Sequence, residues 1–482
     1  MLRRAAYQRT QFARLFSPRN ASTYQRRPFR PSRLQVVGGL SAAGLLIVGA
    51  TGALLNTGTH MWLENRLARM KTDVDSDNRQ WEWDLESERW TGDPSQGGTD
   101  SGLGSQGRKA VRDAWFSQNR PEVYGTTEGT EEAGDVNIVD AVLLRTEVCL
   151  RTAITIAEQP DIAPMLHPCT LVDLLTRRAA TLERLGPAHV NESRMLYERV
   201  WNLLDGKGIH AARIAVKLGD LNQRLGEGQN ALAWWARAIQ LSCGGEPNSA
   251  VPVVPTTPPT SPLAQRTLVS ALVSVSAFYA MARQLSQAQG VEEASLNLLR
   301  TIRPPESLAS ASLPQALHFL SLLHRSAIFS LHLSEVLYAQ RVPVAECLQR
   351  LQTAATSSER VAYALVGMSI WNSDNVATPS AGEPLLPEYE NACLEKPATT
   401  LLRDARRSAA DAWNLMGELT ERMGPSHNRL ALSYYQRAIG WAGRTNEEGA
   451  LEAAPETLRD DWTVLWRNYA RMRQAVEPTK LK

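Results

Sequence analysis

The stretch Ala215-Val216-Lys217-Leu218-Gly219-Asp220-Leu221-Asn222, followed by Ala231-Leu232-Ala233-Trp234-Trp235-Ala236-Arg237-Ala238, decides how this sequence folds. Leu218 and Asn222 lie one turn apart, and so do Ala231 and Trp235, so each half reads as a helix with one packed face. Gly219 removes a side chain from the first helix, and Ala231 and Ala238 keep the second one narrow. Two helices so built can cross closely, and the Trp235 ring fills the groove that the small residues leave.

Those offsets are those of the tetratricopeptide unit, a helix pair of about 34 residues that stacks on copies of itself. Ala215 and Asn222 depart from the large residue and the Tyr that the pattern prefers. A second instance is Trp413-x2-Met416-Gly417 with Ala431-x3-Tyr435-x2-Ala438. Its longer interval is absorbed by Gly424-Pro425-Ser426-His427-Asn428. A weaker instance starts at Phe278-x2-Met281-Ala282-x2-Leu285, with Ala294-x3-Leu298 after it. The packing set is thus Leu218, Gly219, Ala231, Trp235 and Ala238 in one pair, and Trp413, Gly417, Ala431, Tyr435 and Ala438 in the other.

Outward from these pairs, periodicity predicts helices over 137–159, 171–185, 190–204, 313–340, 344–354, 357–371 and 456–474. The last, with Trp462, Trp466 and Tyr469, would cap the stack. Residues 244–262 and 373–397 are interrupted by proline (Pro252, Pro255, Pro258, Pro259 and Pro262 in the first; Pro379, Pro384, Pro387 and Pro397 in the second) and read as exposed, mobile loops. The fold expected is all-α: a tetratricopeptide-like helical-repeat solenoid over 137–476, preceded by one transmembrane helix. Low aromatic content (6%) in an Ala- and Leu-rich chain agrees with helix over strand.

The first 33 residues carry nine Arg, no Lys and no acid. That is the composition of a mitochondrial presequence and basic matrix tail. Arg14-Leu15-Phe16-Ser17 resembles a matrix processing site, with cleavage expected after Phe16. Between Leu34 and Leu63 no residue is charged. An apolar run of about 20 residues spans the hydrocarbon of a bilayer, and the span is placed at 34–56. Five Arg remain between Ser17 and Arg33, whereas the charges just after the span nearly cancel. The positive-inside bias therefore puts the N-terminus in the matrix and the body in the intermembrane space.

Residues 57–136 read as a juxtamembrane, Trp-rich segment and flexible linker. Trp81-Glu82-Trp83-Asp84-Leu85-Glu86-Ser87-Glu88-Arg89-Trp90 holds three Trp and four acids. Docking on the repeat body or at the headgroups is the first expectation for it, and a partner-binding patch the second. Residues 91–107 are Gly/Ser-rich, and a short helix is expected over 108–118. Gly102-Leu103-Gly104-Ser105-Gln106-Gly107 spells a dinucleotide fingerprint, but no strand precedes it.

No catalytic, metal or cofactor constellation is legible. His318, His324 and His332 are spaced by six and eight residues and share no metal-binding face. Five Cys occur singly, without a C-x-x-C pair. Outside the first 33 residues the 43 remaining basic residues face 50 acids, a net of −7, so nucleic acid is a poor partner.

Taken in order, presequence, single helix and degenerate repeat body resemble the fungal tetratricopeptide adaptor of the mitochondrial i-AAA protease. The matching letters are Leu401-Leu402-Arg403-Asp404-Ala405-Arg406-Arg407 through Trp413-Asn414-Leu415-Met416-Gly417, with Tyr434-Tyr435-Gln436-Arg437-Ala438. The resemblance implies a non-enzymatic, single-pass inner-membrane adaptor in protein quality control. Its partners would be the AAA metalloprotease of that membrane and unfolded substrates, in a hetero-oligomer without cofactors. The alternative is an assembly or import factor for inner-membrane complexes that uses the same groove. In repeat register the groove would be lined by Arg213, Lys217, Asp220 and Arg224, by Tyr279 and Arg283, and by Asp411, Asn414 and Glu418.

Overall fold

The computed structural model describes residues 58–65, 76–86, 98–119, 138–246, 250–308, 310–368, 383–390, 393–445, 451–454, 457 and 459–476. The expected presequence, transmembrane span and Trp90 lie outside these residues. The described chain is all-helical apart from a two-stranded antiparallel ribbon, Gly443–Thr445 with Leu451–Ala453. One described helix, Pro262–Met281, is long and apolar enough to cross a membrane, but 67% of its apolar window is buried within the protein. It is a core helix.

The chain divides into two compact units. The first comprises residues up to Asp73 and Glu88–Leu203; the second comprises Val74–Ser87 and Leu204–Lys482. This differs from the expected boundary at 136/137, because residues read as linker belong to folded units on either side.

In the first unit α1 (Gly104–Asn119) packs on α2 (Ile138–Ala157), α2 on α3 (Pro168–Leu185), and α3 on α4 (Val190–Leu203). The glycines that spell the nucleotide motif serve packing. A Cβ on Gly102 would lie 2.6 Å from the Met165 carbonyl oxygen. Asp100 accepts hydrogen bonds from Gly102 N at 2.8 Å and His167 N at 3.0 Å, and so fixes residues expected to be flexible. Glu64 accepts from Thr99 N at 2.6 Å and pairs with Arg108 and Arg112. Burial works to raise its pKa, but these hydrogen bonds outweigh it and hold the carboxyl below its ordinary value.

The second unit is a run of helical hairpins: α5 (Gly208–Arg224) with α6 (Gly228–Ser242), α7 (Pro262–Met281) with α8 (Leu285–Thr301), α9 (Leu313–Ala339) with α10 (Val344–Val366), and α11 (Glu395–Glu421) with α12 (Asn428–Ala442). The helix α13 (Arg459–Val476) packs on α12. The first members also touch in series, α5 with α7, α7 with α9, and α9 with α11. A Cβ on Gly219 would lie 2.3 Å from Trp235 Nε1, and one on Gly417 would lie 2.6 Å from Tyr435 Cε1. Both rings are fully buried, as are Leu218, Ala231 and Ala238. Trp413 and Ala431 are buried too.

Two expectations fail here. Residues 344–366 form one helix, not two, because Ala354, Ala355 and Ser358 are buried small residues that keep the interior of α10 packed. At the Phe278 instance the register is wrong: Ala282 is the C-cap of α7 and Leu285 opens α8. Phe278 instead lies under the next-door hairpin, its ring 5.8 Å from that of Trp235.

Candidate functional site

The residues expected to line one open groove are dispersed over different environments. Lys217 is exposed on α5. Asp220 turns to its own hairpin and accepts from Trp235 Nε1 at 3.1 Å. Arg224 closes the last turn of α5 and is half-buried. Tyr279 is buried in the core. Arg283 is not on a helix at all; it sits in the α7–α8 turn with φ of 61°, and its side chain is exposed. Asp411, Asn414 and Glu418 are on one face of α11, but α13 covers them. Asn468 Nδ2 donates to Asn414 Oδ1 at 3.0 Å and to Glu418 Oε1 at 3.3 Å. Burial pushes the Asp411 carboxyl up to about 6, opposed by Arg407 and reinforced by Asp461.

Arg213 is different, because it holds another part of the chain. Its Nη1 donates to the Leu85 carbonyl at 2.9 Å. Residues 76–86, which begin as the short helix Ser76–Gln80, lie against α5, α7 and α9. This strap settles the Trp-rich segment: its described part docks on the helical body.

Arg266, on α7, organises the contact. Its Nε donates to Glu86 Oε1 at 2.9 Å, Nη1 to the Trp81 carbonyl at 3.2 Å, and Nη2 to the Glu82 carbonyl at 3.2 Å. The guanidinium carbon lies 3.9 Å from the Trp83 ring centroid. Trp83 is 2% exposed, and its Nε1 donates to the Pro314 carbonyl at 2.8 Å. Pro314 is at the start of α9, where the carbonyls of the first turn still take the usual helical bonds and accept this one in addition. Glu82 caps α7: its Oε2 accepts from Ser261 Oγ at 2.5 Å and from Leu263 N at 2.8 Å. A carboxylate at a helix N-terminus meets unsatisfied amides and the positive end of the dipole.

The imidazole of His318 completes the site. Arg266 Nη1 approaches its Nδ1 at 3.0 Å, and Gln265 Oε1 lies 3.0 Å from its Nε2. A cation that donates to Nδ1 requires the neutral ring with hydrogen on Nε2. Burial and then Arg266 lower the His318 pKa to about 3, in agreement with that tautomer. The Trp81 ring lies 5.2 Å from the His318 ring and 5.9 Å from that of Phe319. Arg325, about two turns further along α9, is pulled down by burial and sustained by Asp404, Glu86 and Asp220. So the α5, α7 and α9 face offers arginines, and the strap meets them with carboxylates and carbonyls.

Repeat register singles out Arg213 as a groove residue, and here it holds a carbonyl of the chain's own strap; that register gives no sign of Arg266, His318 or Pro314. The spacing of His318 from His324 and His332 speaks only against a shared metal face and gives no sign of Arg266. The signal available was the Trp-Glu-Trp-Asp-Leu-Glu run, whose apolar rings and acids needed a basic apolar surface. Among the described residues no group of His, Cys, Asp and Glu could hold a metal ion. No protein-family model matches the sequence, and no curated protein matches it either.

Proposed function

We propose that this protein is a polypeptide-binding adaptor: a tetratricopeptide-like helical-repeat solenoid, carried on a single helix in the mitochondrial inner membrane, that recruits substrate proteins to the i-AAA protease. The observation that supports peptide binding is the strap itself. The face of α5, α7 and α9 holds an irregular stretch of polypeptide by its backbone carbonyls, through Arg213 and Arg266. A surface that satisfies main-chain carbonyls can hold chains of many sequences. The arginine-rich presequence pattern and the uncharged run after it support the location. The protease as the recipient rests on the resemblance of the 401–438 block.

Co-purification from detergent-solubilised mitochondria tests the reading. Recovery of the inner-membrane AAA protease with the tagged chain is the expected result. Recovery of a respiratory or translocase complex without the protease would instead make the protein an assembly or import factor. Protection of the C-terminus from added protease in intact mitochondria, lost in mitoplasts, is the expected topology.

A further inference from the structure

We propose that the α5, α7 and α9 face is a receptor for an acidic, tryptophan-bearing segment of a partner polypeptide, and that residues 76–86 occupy it as an internal stand-in. This deepens the adaptor reading and rests on it, since it names the class of segment the surface takes.

The contacts divide by what they can discriminate. Arg213 to the Leu85 carbonyl, and Arg266 to the Trp81 and Glu82 carbonyls, are blind to side chains. Three others select. The Trp83 indole donates to the Pro314 carbonyl while lying under the Arg266 guanidinium, and only tryptophan supplies both a large ring and an N–H there. Glu86 pairs with Arg266 at 2.9 Å. Glu82 meets the N-terminus of α7. The recognised pattern is thus a carboxylate, a tryptophan directly after it, and a second carboxylate three residues further on.

The stand-in carries a built-in reason to leave. Glu82 has φ of 55°, a left-handed conformation that a non-glycine residue adopts under strain. An incoming segment that places its first carboxylate from an extended backbone avoids that strain and competes on better terms. Release of the strap exposes its Trp83 and Trp81 rings, but the indole of the incoming segment takes the same place against Arg266 and Pro314, so the exchange leaves the buried apolar area nearly unchanged.

The test uses the full chain and a fluorescent peptide with the sequence of residues 76–87. The wild-type chain, with its face occupied, should bind the peptide weakly. A strap variant, Trp83→Ser with Glu86→Ser, should bind it at least about tenfold more tightly. Adding Arg266→Glu should abolish that gain, and a peptide with alanine for its second tryptophan should not bind. A strap variant that keeps its helical circular dichroism yet ignores the peptide overturns the proposal. If the variant loses its fold, hydrogen exchange of the wild-type chain decides. Strap amides that exchange well before those of α7 sustain the proposal, and strap amides that open only with α7 make the segment a fixed part of the fold and overturn it. A carboxymethylated, permanently unfolded polypeptide without the pattern separates the two levels. Binding of that chain alone leaves the adaptor standing and removes the specificity, whereas binding of neither removes both.

Discussion

Arg266 places its guanidinium 3.9 Å from the centre of the Trp83 ring while its nitrogens serve Glu86, two strap carbonyls and His318. One side chain therefore carries the ring stack, the ion pair and the backbone contacts. The planar guanidinium makes this possible, because its donors diverge in one plane and leave its faces free for the indole. Burial pulls the Arg266 pKa down and Glu86 pulls it back, yet an arginine remains charged at any working pH.

Lysine has a single nitrogen and cannot serve those acceptors together. Arg266→Lys should therefore loosen the strap without unfolding the body. A hydrogen bond to a charged group is worth about 1.5–3 kcal/mol, so loss of one such contact should speed exchange of the 76–86 amides by at least about tenfold. Amides within α9 should be unaffected. Equal protection in both proteins would mean that Arg266 does not hold the segment.

Glu359 is the corresponding organiser at the far end of the second unit. It is 4% exposed and accepts from Trp413 Nε1 at 2.7 Å, Trp441 Nε1 at 2.8 Å, and Arg437 Nε and Nη2 at 2.7 Å each. It so joins α10, α11 and α12. Removing Glu359 leaves two buried indole N–H groups without an acceptor and the partly exposed Arg437 without its partner, and an unsatisfied buried donor costs about 1–3 kcal/mol. Glu359→Ala should lower the urea midpoint accordingly, and Glu359→Gln by less. The double variant Glu359→Ala with Arg437→Met should recover part of the loss. If the single and double variants are equally unstable, the pair is not the source of the cost.

Two helical glycines should respond in opposite directions to alanine. Alanine is the better helix former by about 1 kcal/mol. At Gly290, on α8, nothing lies within 4 Å of the added methyl, so Gly290→Ala should stabilise by roughly 0.5–1 kcal/mol. At Gly219 the methyl would meet Trp235 Nε1 at 2.3 Å, and overpacking of this kind costs about 1–3 kcal/mol. Gly219→Ala should therefore destabilise, despite the better propensity, and thermal melts of the two variants should move apart. A shift of the same sign in both would show that the Gly219–Trp235 crossing is not tight.

The same crossing explains what the sequence could show. Gly219 and Trp235 meet within one hairpin, so their spacing is a local signal and survives in the letters. Gly417 and Tyr435 repeat it. Ala282 shows the limit: a small residue after Met281 imitates the pattern, but it caps a helix. The strap lay beyond reach of periodicity. Arg266 on α7 gives no hint that Trp83, far away in the chain, covers it. Glu359 in Ser358-Glu359-Arg360 looks like a solvated acid, and only the approach of two indoles from later helices buries it. The residues that repeat register assigns to a groove on α11 share one face, but α13 covers it, and that covering depends on tertiary packing that letters do not encode.

Glu292 on α8 offers a test by pH. It is fully buried, and neither of its carboxylate oxygens has a hydrogen-bond partner among the described residues. Burial, with Glu335 and Glu293 adding repulsion, raises its pKa from 4.5 to about 9. Below pH 4.5 both folded and unfolded chains hold the proton, and the group favours neither state. From there to about pH 9 the unfolded chain releases the proton and the folded one keeps it, so stability falls as pH rises, by at most about 1.4 kcal/mol per unit. Above about 9 the loss is complete. Glu292→Gln keeps the shape and cannot titrate. Its urea midpoint relative to wild type should climb steadily between pH 5 and pH 8, a range inside that window. Parallel pH profiles for the two proteins would show that Glu292 is ionised in the folded chain, which would require a solvated or compensated site in place of the dry one described.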